Sequence, residues 1–221
     1  MDSLGYEFKN ETLLEEALTH PSCNLKQADG TAFSYQRLEF LGDSILGAVI
    51  SQLLIKHFPH EPEGDLARRK SALVQKQAIA KVVQRLALNK HIRFSDTEGN
   101  SGGADNVSVQ EDVGEAVIGA IFADGGFEAA QAFISANWLE AMLAQKTAPI
   151  DAKTALQEWT QARSLGLPKY TIVEQTGTAH EPTFRVEVVV EGQPSQRAHA
   201  ATKRKAERYA AIKMLEAINH G

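Results

Sequence analysis

Four acidic residues in two separate segments are spaced to do chemistry together. Glu39 and Asp43 lie four residues apart, and Asp112 and Glu115 lie three apart. Either spacing puts both side chains on one face of a helix. Apolar residues surround them: Leu38, Phe40 and Leu41 around the first pair, Val113, Ala116 and Val117 around the second. A carboxylate held near a core is costly unless something neutralises it. A hard cation such as Mg²⁺ does so, taking carboxylate oxygens, keeping several waters and bridging to phosphate oxygens. Two helices meeting face to face would gather all four acids, as in metal sites inside helical bundles. Two solvated helix faces are the alternative. Gly42, between the first pair, bears on the choice. Glycine inside a helix costs about 1 kcal/mol relative to alanine, so it implies close helix packing or backbone approach by a ligand.

Other nucleophiles are poorly supported. Ser22 and Ser44 have no evident histidine-plus-acid arrangement around them, and His20 reads either as a base or as a helix-end histidine bonding backbone. An activated water is the better nucleophile for the acidic set. At the other end of the chain, Lys203, Arg204 and Lys205 open a predicted helix. Three cations there oppose the helix dipole, so an external anion such as phosphate would account for them, as would a solvated helix end.

The chain has 221 residues, 43% hydrophobic and 23% charged, which is ordinary for a globular protein. No stretch reads as the roughly 18 apolar residues of a membrane helix. The N-terminus lacks a basic region followed by an apolar run, so no signal peptide and no membrane partner are expected. The single cysteine, Cys23, permits no intrachain disulfide. It reads as a small core hydrophobe in a reducing, cytoplasmic compartment. The net charge of −5 is unevenly spread. Residues 1–147 carry 13 Lys and Arg against 20 Asp and Glu, while residues 148–221 carry 10 against 8.

Periodicity separates the same two regions. In the first, helices are predicted near Leu13–Leu18, over Tyr35–His57, over Leu66–Leu86, and over Val109–Phe122 and Phe127–Ala144. Asn10 is the expected N-cap of the first. This gives an all-α domain over 1–147. After a linker around Pro149 the pattern becomes helix Lys153–Arg163, strands Tyr170–Glu174, Phe184–Val190 and Gln196–Ala200, and helix Thr202–Ile218. Ala206, Tyr209, Ala210, Met214 and Leu215 are predicted to face the sheet. That is a small α+β domain, α-β-β-β-α, over 148–221.

The segment Gln36-Arg37-Leu38-Glu39-Phe40-Leu41-Gly42-Asp43-Ser44 resembles the signature of the ribonuclease III family. Asp112-Val113-Gly114-Glu115-Ala116-Val117-Ile118-Gly119-Ala120 is similar to the family's second acidic helix, and Leu18-Thr19-His20-Pro21-Ser22 and Glu63-Gly64-Asp65-Leu66 also match. The C-terminal region resembles a double-stranded-RNA-binding domain through Lys153-Thr154-Ala155-Leu156-Gln157-Glu158-Trp159, His180-Glu181-Pro182-Thr183-Phe184 and Thr202-Lys203-Arg204-Lys205-Ala206-Glu207.

The resemblance implies a Mg²⁺-dependent endonuclease, with Mn²⁺ able to serve, that cuts double-stranded RNA as a homodimer. It would leave 5′-phosphate and 3′-hydroxyl ends and process structured precursors such as ribosomal RNA. A non-catalytic duplex binder is the alternative. Asp43 and Glu115 match the family's catalytic positions, and Glu39, Asp112 and Glu115 its metal ligands. Glu63 matches an accessory acid contributed across the dimer, and Phe40 an aromatic inserted into the partner. Gln157, His180, Lys203, Arg204 and Lys205 match its RNA contacts. There are departures: Gln36 stands where the family usually has Glu, Gln110-Glu111 and Arg69-Lys70 are unusual pairs, and Ala198 and Ala200 replace frequent glycines.

Overall fold

The computed structural model describes residues 4–100, 102–145, 147–149, 151–178 and 182–220. The chain divides into two compact units, Met1–Pro149 and Ile150–Gly221.

The first unit is helical. Its α-helices are α1 (Glu11–Ala17), α2 (Gln36–His57), α3 (Glu63–Leu73), α4 (Lys76–Arg85), the short α5 (Asp96–Asn100) and α6 (Val107–Leu143). Asn10 caps α1, its side chain accepting from Thr12 N at 3.1 Å. The core packs Leu46, Val49, Ile50 and Leu54 of α2 and Ile79 and Val83 of α4 against Val113, Val117, Ile118 and Ile121 of α6. Burial of each such side chain contributes roughly 1.5–3 kcal/mol.

The single helix expected over Leu66–Leu86 is broken. Gln75 is extended (φ −72°, ψ 151°) and separates α3 from α4. Both helices present apolar residues to the same core, so the periodicity runs through the break unaltered. The freed carbonyl of Leu73 accepts from the buried Trp138 indole at 3.0 Å, which supplies a partner the helix end would otherwise lack. Within α6, Gly126 is non-helical (φ 78°, ψ −172°), so the element is two helices end to end, as the pattern predicts.

Against the expectation of none, α2 and α6 are long and apolar enough by length and composition alone to cross a membrane. The scattered acids hide this when uninterrupted apolar runs are sought. The two helices pack on each other as the central pair of the bundle, which is how a helix apolar on most sides is satisfied in a globular core. Cys23 is likewise half-buried at the periphery rather than in the core, its Sγ lying 3.5 Å from the Arg93 carbonyl oxygen. Arg69 is only 1% exposed. Its guanidinium pairs with both Glu61 oxygens at 2.7 and 2.6 Å, donates to Gln145 O at 2.6 Å and stacks on Phe58 at 3.8 Å. One buried cation thus holds the ends of α2 and α6 to α3.

The second unit runs α7 (Ala152–Gln161), β1 (Lys169–Gly177), β2 (Pro182–Val189), β3 (Gln196–Ala200), α8 (Lys203–His220). The sheet is antiparallel in the order β1-β2-β3, with Val186 opposite Ile172 and Ala198. Val186, Val188, Val190 and Ala198 bury one face under Leu156, Ala206, Ala210, Ala211 and Met214. Tyr209, expected toward the sheet, is instead exposed, and Ala211 takes the inward position. The small side chains of Ala210 and Ala211 let α8 lie close on the strands.

Asp124 of α6 ties down the N-terminal segment. Its carboxylate accepts from Tyr6 Oη at 2.7 Å, Lys9 N at 2.8 Å and Asn10 N at 2.9 Å. Burial pushes this carboxyl up, but the two amides and the hydroxyl outweigh it and hold the pKa below the usual 3.8. Because the folded value is depressed, the stabilisation is present above the unfolded pKa and is lost as pH falls through the folded one. Asp124→Asn is therefore expected to lower the Tm by a few degrees at neutral pH, and the deficit is expected to shrink below pH 3.8. Thermal melts at the two pH values check this; a deficit independent of pH would contradict it.

Candidate active site

The site is built where α2 crosses α6. A Cβ on Gly42 would collide with the carbonyl oxygen of Glu115, and one on Gly119 with the carbonyl oxygen of Leu38. The two backbones are therefore in direct contact, and only glycine fits at either position. Of the two reasons for a glycine inside α2, close helix packing is the one realised. The crossing brings Glu39 and Asp43 of α2 alongside Asp112 and Glu115 of α6.

Burial acts first on these carboxyls, and neighbouring charge adds to it. Burial, then the charges of Asp43, Glu111, Glu39 and Asp112, push the Glu115 carboxyl up to about 8. Burial followed by Asp112, Glu111 and Asp43 raises Glu39. Burial also raises Asp112, against the opposing hydrogen bond from Tyr35. Solvated acids on separate helix faces would not act on one another in this way.

Two participants escape the motif reading. Glu111, noted in the sequence only as unusual, acts on Glu39, Asp112 and Glu115. Its i,i+4 relation to Glu115 was the available signal. Lys76 at the start of α4 holds it, with Nζ 3.0 Å from Glu111 Oε2 and 2.9 Å from Ser108 Oγ. The second is Tyr35, buried just before α2, whose hydroxyl donates to Asp112 Oδ2 at 3.1 Å. Burial and the Asp112 charge raise its pKa well above the ordinary phenol value, so it remains a donor. No sequence spacing links positions 35 and 112.

His20 supports this corner. Its Nδ1 accepts from Ser22 N at 3.1 Å and lies 2.8 Å from Ser22 Oγ, while its ring meets Tyr35 edge-on at 5.6 Å. That is the backbone-bonding role rather than a base poised at the acids.

The donor set fits a hard divalent cation: it is all oxygen, partly desolvated and mutually repelling. Among the described residues, no three acidic, histidine or cysteine side chains close tightly enough to enclose an ion by themselves. Water and substrate oxygens would complete the shell, as Mg²⁺ prefers.

The remaining predicted residues lie elsewhere. Glu63 is exposed at the first position of α3, and none of the shifts of the four acids involves it. Phe40 is 81% exposed and is no core residue. Gln157 is exposed on α7, and Lys203, Arg204 and Lys205 are exposed at the start of α8. His180 lies outside the described residues.

Residues 10–142 match the ribonuclease-III-like family and residues 152–218 match the double-stranded RNA binding motif. The chain belongs to the ribonuclease III family. It is 44% identical to ribonuclease 3 of Wolbachia sp. subsp. Brugia malayi, covering 98% of this chain and 89% of that one. To ribonuclease 3 of Ehrlichia ruminantium (strain Welgevonden) it is 44% identical over 98% of this chain and 95% of the other. The nuclease domain of ribonuclease III from Campylobacter jejuni, described as flexible in a region involved in dimer formation, superposes with a TM-score of 0.56. It is 39% identical and covers 62% of this chain and 95% of that structure. The ribonuclease III match thus spans the α2–α6 crossing and all five clustered acids.

The crossing makes a separable prediction. Gly47→Ala places its Cβ 3.4 Å from the flexible Lys70 Nζ and should gain up to about 1 kcal/mol of helix propensity. Gly42→Ala should lose about 1–3 kcal/mol or more through overpacking against the α6 backbone. Urea titration of both variants checks this. Equal stability would mean the helices do not touch there.

Proposed function

We propose that this ribonuclease III family member hydrolyses phosphodiester bonds of double-stranded RNA, with the nuclease in residues 1–147 and duplex binding in residues 148–221. The observation that carries the reading is the set of half-buried Glu39, Asp112 and Glu115, with the exposed Asp43 beside them, at a glycine-mediated helix crossing. Family membership over both units supports it.

Glu39, Asp112 and Glu115 are assigned as metal ligands, with Asp43 and Glu115 as the catalytic pair. These residues would hold Mg²⁺, or Mn²⁺ in its place, which when bound would supply Lewis acidity for a water nucleophile and charge neutralisation at the phosphate. The protein's own groups do the positioning. Tyr35 orients Asp112 through its hydrogen bond, and Lys76 restrains Glu111. The products are 5′-phosphate and 3′-hydroxyl ends with no covalent enzyme intermediate, and the substrates are structured precursors such as ribosomal RNA.

The protein works as a cytoplasmic homodimer in this account. The exposed stripe of α2 carrying Phe40 and Ile55 supports a partner surface there. Phe40 inserts into the partner and Glu63 reaches the partner's site. In the second unit, Gln157 and His180 read the minor groove by shape, and Lys203, Arg204 and Lys205 take phosphate from the major groove between.

Glu115→Gln and Asp43→Asn are each expected to reduce cleavage of long duplex RNA in Mg²⁺ by on the order of a thousandfold or more, while binding duplex in chelator like the unaltered chain. Lys203→Ala should weaken binding uniformly across sequences and reduce the salt slope by about 1. Normal cutting by either acid variant, or a sequence-selective loss at Lys203, would refute the corresponding role.

A further inference from the structure

Glu207 stands between the two helices that carry the RNA-facing residues. Its side chain is only 14% exposed. One carboxylate oxygen, Oε2, accepts from Lys153 Nζ of α7 at 2.7 Å, and the other, Oε1, faces Lys203 Nζ of α8 at 3.9 Å. Lys153 is held from its other side as well, its Nζ lying 4.8 Å from the centroid of the Tyr170 ring of β1. A single acid therefore links α7, α8 and, through Lys153, the sheet. Lys203 itself is 60% exposed, with its remaining donors free to reach outward.

Charge alone argues against an acid here. The unit's basic face is meant for a polyanion, and a carboxylate beneath it lowers the local positive potential. Removing that carboxylate should then tighten binding. The geometry argues the reverse. Lysine is rotamer-rich, and immobilising such a side chain on binding costs affinity. A carboxylate that hydrogen-bonds Lys153 and stands within ion-pair range of Lys203 removes part of that cost before RNA arrives. It also fixes α7 relative to α8, and so the spacing of Gln157 from the Lys203–Lys205 run.

We infer that Glu207 is a positioning residue of the duplex-RNA interface, strengthening binding by orienting Lys153 and Lys203 even though it adds negative charge to the face. The inference rests on the assignment of the second unit as the duplex-binding one.

The test uses the full chain in EDTA, so that no cleavage intervenes, and fluorescence anisotropy with a labelled RNA duplex of roughly 20 base pairs. Glu207→Gln keeps the shape and makes the protein more positive. It is expected to bind about tenfold more weakly than the unaltered chain. Lys153→Met severs the same contact from α7 and guards against a trivial folding defect in the first variant. It should weaken binding comparably, and the double variant should bind no more weakly than the weaker single, since the pair acts as a unit. In the Glu207→Gln background, Lys203→Ala should still remove its phosphate contact but cost less than it does in the unaltered chain. Equal or tighter binding by Glu207→Gln, or additive losses through either combination, overturns the inference while leaving the second unit as the RNA binder. Failure of the unaltered chain to bind duplex RNA removes the underlying assignment and the inference with it.

Discussion

The backbone contact between α2 and α6 is the constraint on which the nuclease unit depends. Gly42 and Gly119 let the helices touch main chain to main chain, each facing a carbonyl of the other. At an ordinary helix separation of 8–10 Å, acids on the two helices would interact weakly through solvent. At contact distance they share one partly desolvated volume, and Glu115 bears the consequence in its raised pKa. The rest of the unit serves this crossing. The aliphatic residues of α2, α4 and α6 hold the helices together beneath it, Tyr35 fixes one acid, and Lys76 partly balances another. Stored repulsion of this kind is what a divalent cation relieves, so the stability of the fold and the capacity to bind metal are in tension at one point.

An acidic site that must act on a polyanion needs help with capture. The chain meets this by separating functions. Residues 1–147 carry a formal excess of seven negative charges, whereas residues 148–221 carry an excess of two positive ones. A tethered binding unit raises the local concentration of duplex near a site that would otherwise repel it. The same tension recurs within the second unit, where Glu207 places a negative charge under the binding face in return for order. In both units preorganisation takes precedence over bare electrostatic attraction.

Much of this was legible in the sequence because helical spacing is local. Glu39 with Asp43, and Asp112 with Glu115, can be read from period alone, and Gly42 marks the close approach. The α-β-β-β-α order is written in the change of period after Pro149. What could not be read is non-local or masked. Tyr35 and Asp112 are brought together by the bundle rather than by spacing. The break at Gln75 is hidden because α3 and α4 face one core. Tyr209 fits the helical stripe by period, but Ala211 is the residue buried against the sheet. The membrane-like hydropathy of α2 and α6 is obscured by the same acids that make the site.

The most direct measurement is a site-resolved NMR titration of the Glu115 side-chain carboxyl in the metal-free protein, repeated with Mg²⁺. Convergence of the acids at the crossing predicts titration near the elevated value of about 8, with a marked fall when the cation is added. Titration close to the ordinary 4.5, unmoved by Mg²⁺, would contradict the account.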